Sequence, residues 1–191
     1  MRDKIGVIHG RFQVLHLGHL EYLLAGKKRC EKLIIGICNP DIYTTKYSEV
    51  CPHRSLNSSN PLSYYERYEM IKNVMLEAGI QLEEFEIVPF PINTPELIHN
   101  YVPMNATFYM TIYDEWGEEK ERILSGLDVK IDVMWKKSLK DRLTSGSEVR
   151  EMIYEDKEWK HLVPNATYNY LINNGLDKRI KQILSQESEA E

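Results

Sequence analysis

Two apolar runs, Ile5-Gly6-Val7-Ile8 and Leu33-Ile34-Ile35-Gly36-Ile37-Cys38, constrain this chain more than any other feature. The second is apolar throughout, the pattern of a strand buried on both faces of a parallel sheet. Residues 18–29 between them read as a helix closing on Lys27-Lys28-Arg29, the charge that the carboxyl end of a helix favours.

The alternation continues. A polar loop covers 39–62, and loops of that length usually serve a function or move. Ser63 and Glu66 make a capping box, followed by Tyr64, Tyr68, Ile71, Val74 and Met75 at helical spacing up to Gly79. A short strand is expected at 85–88, broken by Pro89 and Pro91, then a helical start at 94–98 and a strand at 106–112. A charged helix at 116–124, an alternating edge strand at 129–135, a helix from Ser145 to about Tyr154 and another from Pro164 to about Asn173 complete the series. The fold expected is α/β, a Rossmann-like doubly wound parallel sheet with C-terminal helices. Residues 1–184 form one domain in this reading, and 185–191 an acidic, disordered tail. Ligands of such sheets lie beyond the carboxyl ends of the strands, where the strand order reverses.

Composition narrows the partners. The chain has 191 residues, 42% hydrophobic and 28% charged, enough for one substantial core. Its formal net charge of −5 argues against a nucleic-acid polymer, whose footprint is a basic stripe, but not against a single nucleotide. No 18-residue apolar stretch and no secretory leader is seen, so no membrane partner and a cytoplasmic location are expected. An odd cysteine count, three, argues against a disulfide framework.

The chemistry concentrates in two turns. Gly10-Arg11-Phe12-Gln13-Val14-Leu15-His16-Leu17-Gly18-His19 joins the first strand to the first helix. Such a junction presents free backbone N–H groups and a positive helix end to an anion, and Arg11, His16 and His19 add donors. Either histidine alone would read as a surface or capping residue. A zinc site would need more ligands, for which Cys51-Pro52-His53 is the nearby candidate. A glycine-arginine turn suits an anion better than a dication, so no protein metal site is expected. Thr144-Ser145-Gly146-Ser147-Glu148-Val149-Arg150 is the second turn, with hydroxyls and unpaired N–H groups at a helix start and Arg150 one turn in.

Residues 10–19 resemble the first signature of the nucleotidylyltransferase superfamily, His-x-Gly-His, and residues 145–150 resemble its second, Ser-x-Ser/Thr-x-x-Arg. Within that group the chain most resembles the archaeal-type nicotinamide-nucleotide adenylyltransferases. The shared pieces are the Gly-Arg-Phe-Gln opening, Asn60-Pro61-Leu62-Ser63-Tyr64-Tyr65-Glu66-Arg67, and Trp159-Lys160-His161-Leu162-Val163-Pro164. The resemblance implies transfer of a nucleoside monophosphate from ATP or CTP, carried with Mg²⁺, to a small phosphorylated acceptor, with pyrophosphate leaving. It implies catalytic roles for His16, His19 and Arg150. It implies nucleotide and phosphate binding by Gly10, Arg11, Phe12, Gln13, Gly18, Arg67, Ser145 and Ser147. It also implies a homo-oligomer.

The chain departs from that family on the acceptor side. Val14 stands where the family usually has proline, and residues 89–101 lack the tryptophan that holds the nicotinamide ring. Asn93 and Trp116 are the acceptor-binding candidates that remain. Three readings follow: an enzyme making NAD from nicotinamide mononucleotide, placed slightly first; an adenylyl- or cytidylyltransferase for another phosphate or phosphonate; and a non-catalytic nucleotide-binding regulator.

Overall fold

The computed structural model describes residues 2–40 and 58–188. Five strands form one parallel sheet in the order β3-β2-β1-β4-β5, with β1 Asp3–Gly10, β2 Cys30–Cys38, β3 Phe85–Phe90, β4 Thr107–Ile112 and β5 Lys130–Lys136. The chain winds outward from β1 through α1 (Leu17–Arg29) to β2 and through α2 (Tyr64–Glu77) to β3. It then returns to the other side of β1 as β4 and continues through α3 (Glu115–Ser125) to β5. The reversal between β1 and β4 is the switch point that the sequence pattern required. After β5 come α4 (Gly146–Tyr154), α5 (Asn165–Asn173) and α6 (Leu176–Ser188).

Two cores follow from the period of two along each strand. Ile8, Leu33, Ile35, Ile37 and Tyr109 join α1, α2 and the C-terminal helices on one face. Val7, Ile34, Phe90, Phe108 and Met110 join Leu124 of α3 and Ile98 of a 3₁₀ turn, Pro95–Asn100, on the other. Glycine is needed where the layers touch most closely. A Cβ on Gly26 of α1 would lie 2.4 Å from Ile8, and one on Gly36 of β2 would lie 2.6 Å from the Phe90 ring.

Three expectations need correction. Strand β3 runs through Pro89 to Phe90 instead of stopping at 88. It lies at the edge of the sheet, where a residue without an N–H is tolerated. The last helix, α6, was not among the expected elements, and it carries residues 185–188 of the tail expected to be disordered. Leu176 and Ile180 are buried one turn apart and Leu184 packs behind them, so the stripe outweighs the charged composition. Residues 189–191 lie outside the described residues, as do Cys51, His53 and most of the 39–62 loop.

Arg67 is the third correction. It was expected to hold the triphosphate, but its side chain is turned into the protein and only 2% exposed. Its guanidinium donates to the carbonyls of Arg11 (3.0 Å), Cys38 (2.8 Å), Asn39 (2.7 Å) and Ser63 (3.2 Å). Burial lowers its pKa to about 10, still charged at neutral pH. The group joins the ends of β1 and β2 to the start of α2. That start is fixed in turn by its capping box and by Arg179 of α6, which donates to both Glu66 carboxylate oxygens and to the Pro61 carbonyl (2.9 Å). Arg67→Met keeps the bulk and leaves these carbonyls without a donor. It is expected to cost about 3 kcal/mol or more in urea unfolding, and an unchanged midpoint would show that the strand ends do not depend on it.

Candidate active site

A cavity of about 260 Å³ opens at the carboxyl ends of β1 and β4. Both signature turns line it. His16 caps α1: its Nδ1 accepts the His19 backbone N–H at 3.4 Å, which leaves the proton of the neutral ring on Nε2. The His16 and His19 rings stack with centroids 3.8 Å apart, and Phe12 lies against His19 at 4.9 Å. The His19 ring is hydrogen-bonded to the Val14 backbone, and its Nδ1 has no partner among the described residues.

The second turn meets the first at close range. A Cβ on Gly146 would lie 2.7 Å from the Gln13 carbonyl oxygen. This glycine lets the start of α4 close on the turn before α1, so that two sets of helix-start N–H groups border one space. Arg150, 5% exposed, donates one nitrogen to the Gln13 carbonyl and another to Ser147 Oγ at 3.2 Å. It lines the cavity, and burial lowers its pKa to about 10.

Several expected ligands turn out to be builders of the site. Gln13 spends both ends of its amide on the Leu62 backbone, each at 2.9 Å, and so clips the loop before α2 to the first turn. The Phe12 side chain is fully buried in the core, with its backbone at φ 54°. Its ring lies 3.0 Å from where a Cβ on Gly10 would stand, which is why position 10 is glycine. Ser145 Oγ caps α4 by accepting the Glu148 N–H at 3.1 Å, and Glu148 accepts in return from Ser145 N and Thr144 Oγ1. Arg11 lines the cavity and reaches Asn60 Oδ1 at 3.5 Å.

Sequence reasoning missed a second cation. Arg142 precedes α4, lines the cavity and lies with its guanidinium 4.7 Å from the Tyr113 ring centroid. It donates to Asp114 Oδ2 at 3.1 Å, while Asp114 Oδ1 caps α3 through the Gly117 N–H at 2.9 Å. Its only signal was an arginine two residues before the Thr-Ser-Gly turn. Asn93 and Trp116 do line the cavity, and Asn93 donates to Asn39 Oδ1 at 3.2 Å. Lys120 of α3 and His9 of β1 line it too, and neither was anticipated. Among the described residues no group of three or more His, Cys, Asp or Glu side chains is placed to hold a metal ion. No helix among them is long and apolar enough to cross a membrane.

The electrostatics follow from burial beside arginine. Burial, with Arg142 and Arg150 adding to it, pushes the His16 pKa down from 6.5 to about 3. Burial and the neighbouring His16 hold His19 well below its ordinary value. Both imidazoles are neutral at pH 7, so the site presents N–H donors and arginine charge to an anion. The sign for stability follows. Between pH 6.5 and 3 the unfolded chain binds a proton at His16 that the folded chain does not, so stability falls as pH falls. Each such histidine contributes a slope of about 1.4 kcal/mol per pH unit. Urea unfolding from pH 7 to pH 5 should therefore show a steeper loss for the wild type than for His16→Gln; parallel curves would mean that His16 is not held neutral.

Comparison with known proteins agrees with this geometry. Residues 7–152 match the model of a family described as cytidylyltransferase-like. The chain is 47% identical over 176 residues, 92% of its length and 95% of the relative's, to a phosphonoformate cytidylyltransferase of Streptomyces viridochromogenes. It is 25% identical over 180 residues, 94% of its length and 96% of the relative's, to a nicotinamide-nucleotide adenylyltransferase of Saccharolobus solfataricus. Among solved structures, a bifunctional NMN adenylyltransferase/ADP ribose pyrophosphatase from Francisella tularensis superposes with a TM-score of 0.70 at 19% identity. The match covers 98% of this chain and 53% of that one, so this chain spans about half of the bifunctional protein and shares its fold there. Fold, paired signature turns and family model lead to one statement: the chain belongs to the cytidylyltransferase-like family and is a nucleotidyltransferase, taking a nucleoside triphosphate and a phosphorylated acceptor.

Proposed function

We propose that this enzyme transfers a cytidylyl group from CTP to a small phosphonate that carries a second acid group. The observation behind this reading is the 47% identity to a phosphonoformate cytidylyltransferase over 176 residues, 92% of this chain. The sequence alone placed nicotinamide mononucleotide slightly first, and relatives at about 25% identity still fit that reading. We place the phosphonate first because the 89–101 segment brings Ile92 and Asn93 to the cavity and contains no tryptophan to hold a nicotinamide ring.

The reaction is an in-line displacement. An oxygen of the phosphonate attacks the α-phosphorus of the triphosphate and forms the new P–O bond. The bond from that phosphorus to the bridging oxygen breaks, and pyrophosphate leaves with the electron pair. His16, through Nε2–H, and His19 stabilise the charge on the α- and β-phosphates. Arg11, Arg142 and Arg150, with the helix-start N–H groups of α1 and α4, hold the β- and γ-phosphates. Such catalysis is positioning and charge stabilisation, without a covalent nucleophile. Mg²⁺ would come as part of the triphosphate substrate and would supply charge neutralisation there, with Arg11, Arg142 and Arg150 beside it. Asp114, the one carboxylate among the described residues that lines the cavity, is committed to Arg142 and to the cap of α3.

A pyrophosphate-release assay pairing CTP or ATP with phosphonoformate or nicotinamide mononucleotide tests this reading. CTP with phosphonoformate is the pair expected to react. ATP with nicotinamide mononucleotide reacting instead would make it an NAD-forming enzyme. Silence with every pair, while nucleotide binds by calorimetry, would support the regulator. With the active pair, His19→Ala is expected to lower kcat by about 100-fold or more at unchanged thermal stability. Near wild-type turnover in that variant would remove His19 from the chemistry.

A further inference from the structure

His9 lies in the cavity wall, and the transfer of the cytidylyl group as derived above does not use it. It stands at the end of β1, on the sheet face that carries Val7, Phe90 and α3. The side chain is 2% exposed, and its ring is stacked on Phe90, with centroids 4.7 Å apart and planes 10° apart. Neither Nδ1 nor Nε2 has a hydrogen-bond partner among the described residues.

That is an expensive arrangement unless something else satisfies it. A buried polar group left unpaired costs on the order of 1–3 kcal/mol, and buried side-chain polar atoms in native proteins nearly always have a partner. Leucine or phenylalanine would fill the same place against Phe90 without that cost. Burial, with the charge of Lys120 adding to it, holds the imidazole in its neutral form. A neutral imidazole offers one N–H to a ligand. Lys120 lines the same cavity and places a positive charge in reach of that ring electrostatically. A ligand group that takes an N–H and also answers an ammonium is an anionic oxygen.

We infer that His9, supported by Lys120, donates an N–H to the carboxylate of the acceptor and so selects phosphonates that carry one. The inference rests on the phosphonate reading above. It divides the acceptor between two parts of one cavity: the phosphonate oxygen lies at the His16–His19–Arg150 end, and the carboxylate lies toward β1 and α3. A phosphonate without a carboxylate leaves the His9 ring without that partner, so it forgoes that gain.

The test compares wild type, His9→Leu and His9→Gln with CTP and two acceptors, phosphonoformate and methylphosphonate. In His9→Leu, the KM for phosphonoformate should rise 10-fold or more, while the KM for CTP stays within twofold. The kcat/KM preference for phosphonoformate over methylphosphonate should fall at least 10-fold, and His9→Gln should restore part of it. The Tm of His9→Leu without ligand should equal or exceed that of wild type, because an unpaired polar group has been removed. A phosphonoformate KM within twofold of wild type in His9→Leu would overturn the inference and assign the ring to a bound water. An equal loss on both acceptors would overturn it in favour of a structural role. Wild-type silence with CTP and either phosphonate would instead overturn the phosphonate reading itself.

Discussion

One guanidinium holds the catalytic end of this sheet together. The carboxyl ends of parallel strands leave carbonyls that the ladder no longer pairs, and here three of them converge at Arg11, Cys38 and Asn39. Arg67 answers all three from the first turn of α2 while bonding its own helix start at Ser63. A planar group with five fixed donors can do this, and a lysine cannot. The turn that carries Gly10 to His19 therefore leaves β1 along a fixed path, and Gln13 then fastens the loop before α2 to that turn. The charge serves the architecture, and the anion is left to other cations.

The second constraint is the closeness of the two helix starts. Gly146 allows the start of α4 to approach the turn before α1 until the Gln13 carbonyl accepts from Arg150. This brings helix-start N–H groups, two histidines and the charges of Arg11, Arg142 and Arg150 to one cavity, where Asp114 answers Arg142. The histidines respond by staying neutral. Neutral rings fit this geometry, since two imidazolium groups stacked 3.8 Å apart beside arginines would repel each other.

Much of this was legible in the residue pattern because the strongest constraints are local. The apolar run at 33–38 needs a doubly covered parallel strand, Ser63 with Glu66 needs a helix start, and the two signature turns need strand-to-helix or loop-to-helix junctions. Side-chain direction was not legible. Arg67, in a stretch shared with phosphate-handling relatives, gave no sign that it points into the protein, because its three carbonyl partners come from segments 28 or more residues away. Arg142 and Lys120 were missed for the converse reason. Each is one cation in a polar stretch, and only the reversal of strand order brings both to the cavity that holds His16. The helix over 176–188 was hidden by its charged composition, and its buried stripe of three residues acquires meaning only against α4 and α5.

The acceptor side is tied to the phosphate side through one ion pair. Arg142 leaves the loop before α4, crosses the Tyr113 ring and pairs with Asp114, the residue that caps α3. The pair is partly exposed, so its worth to stability is at most about 1 kcal/mol; its consequence is positional. By fixing the start of α3, it fixes Trp116 and Lys120, one in the first turn and the other a turn later, relative to the arginines around the triphosphate. Substitution along α3 or at the end of β1 can then reshape the acceptor pocket without moving the phosphorus chemistry. In this chain those positions carry Trp116, Lys120 and His9, which line the cavity together with Ile92 and Asn93 of the 89–101 segment.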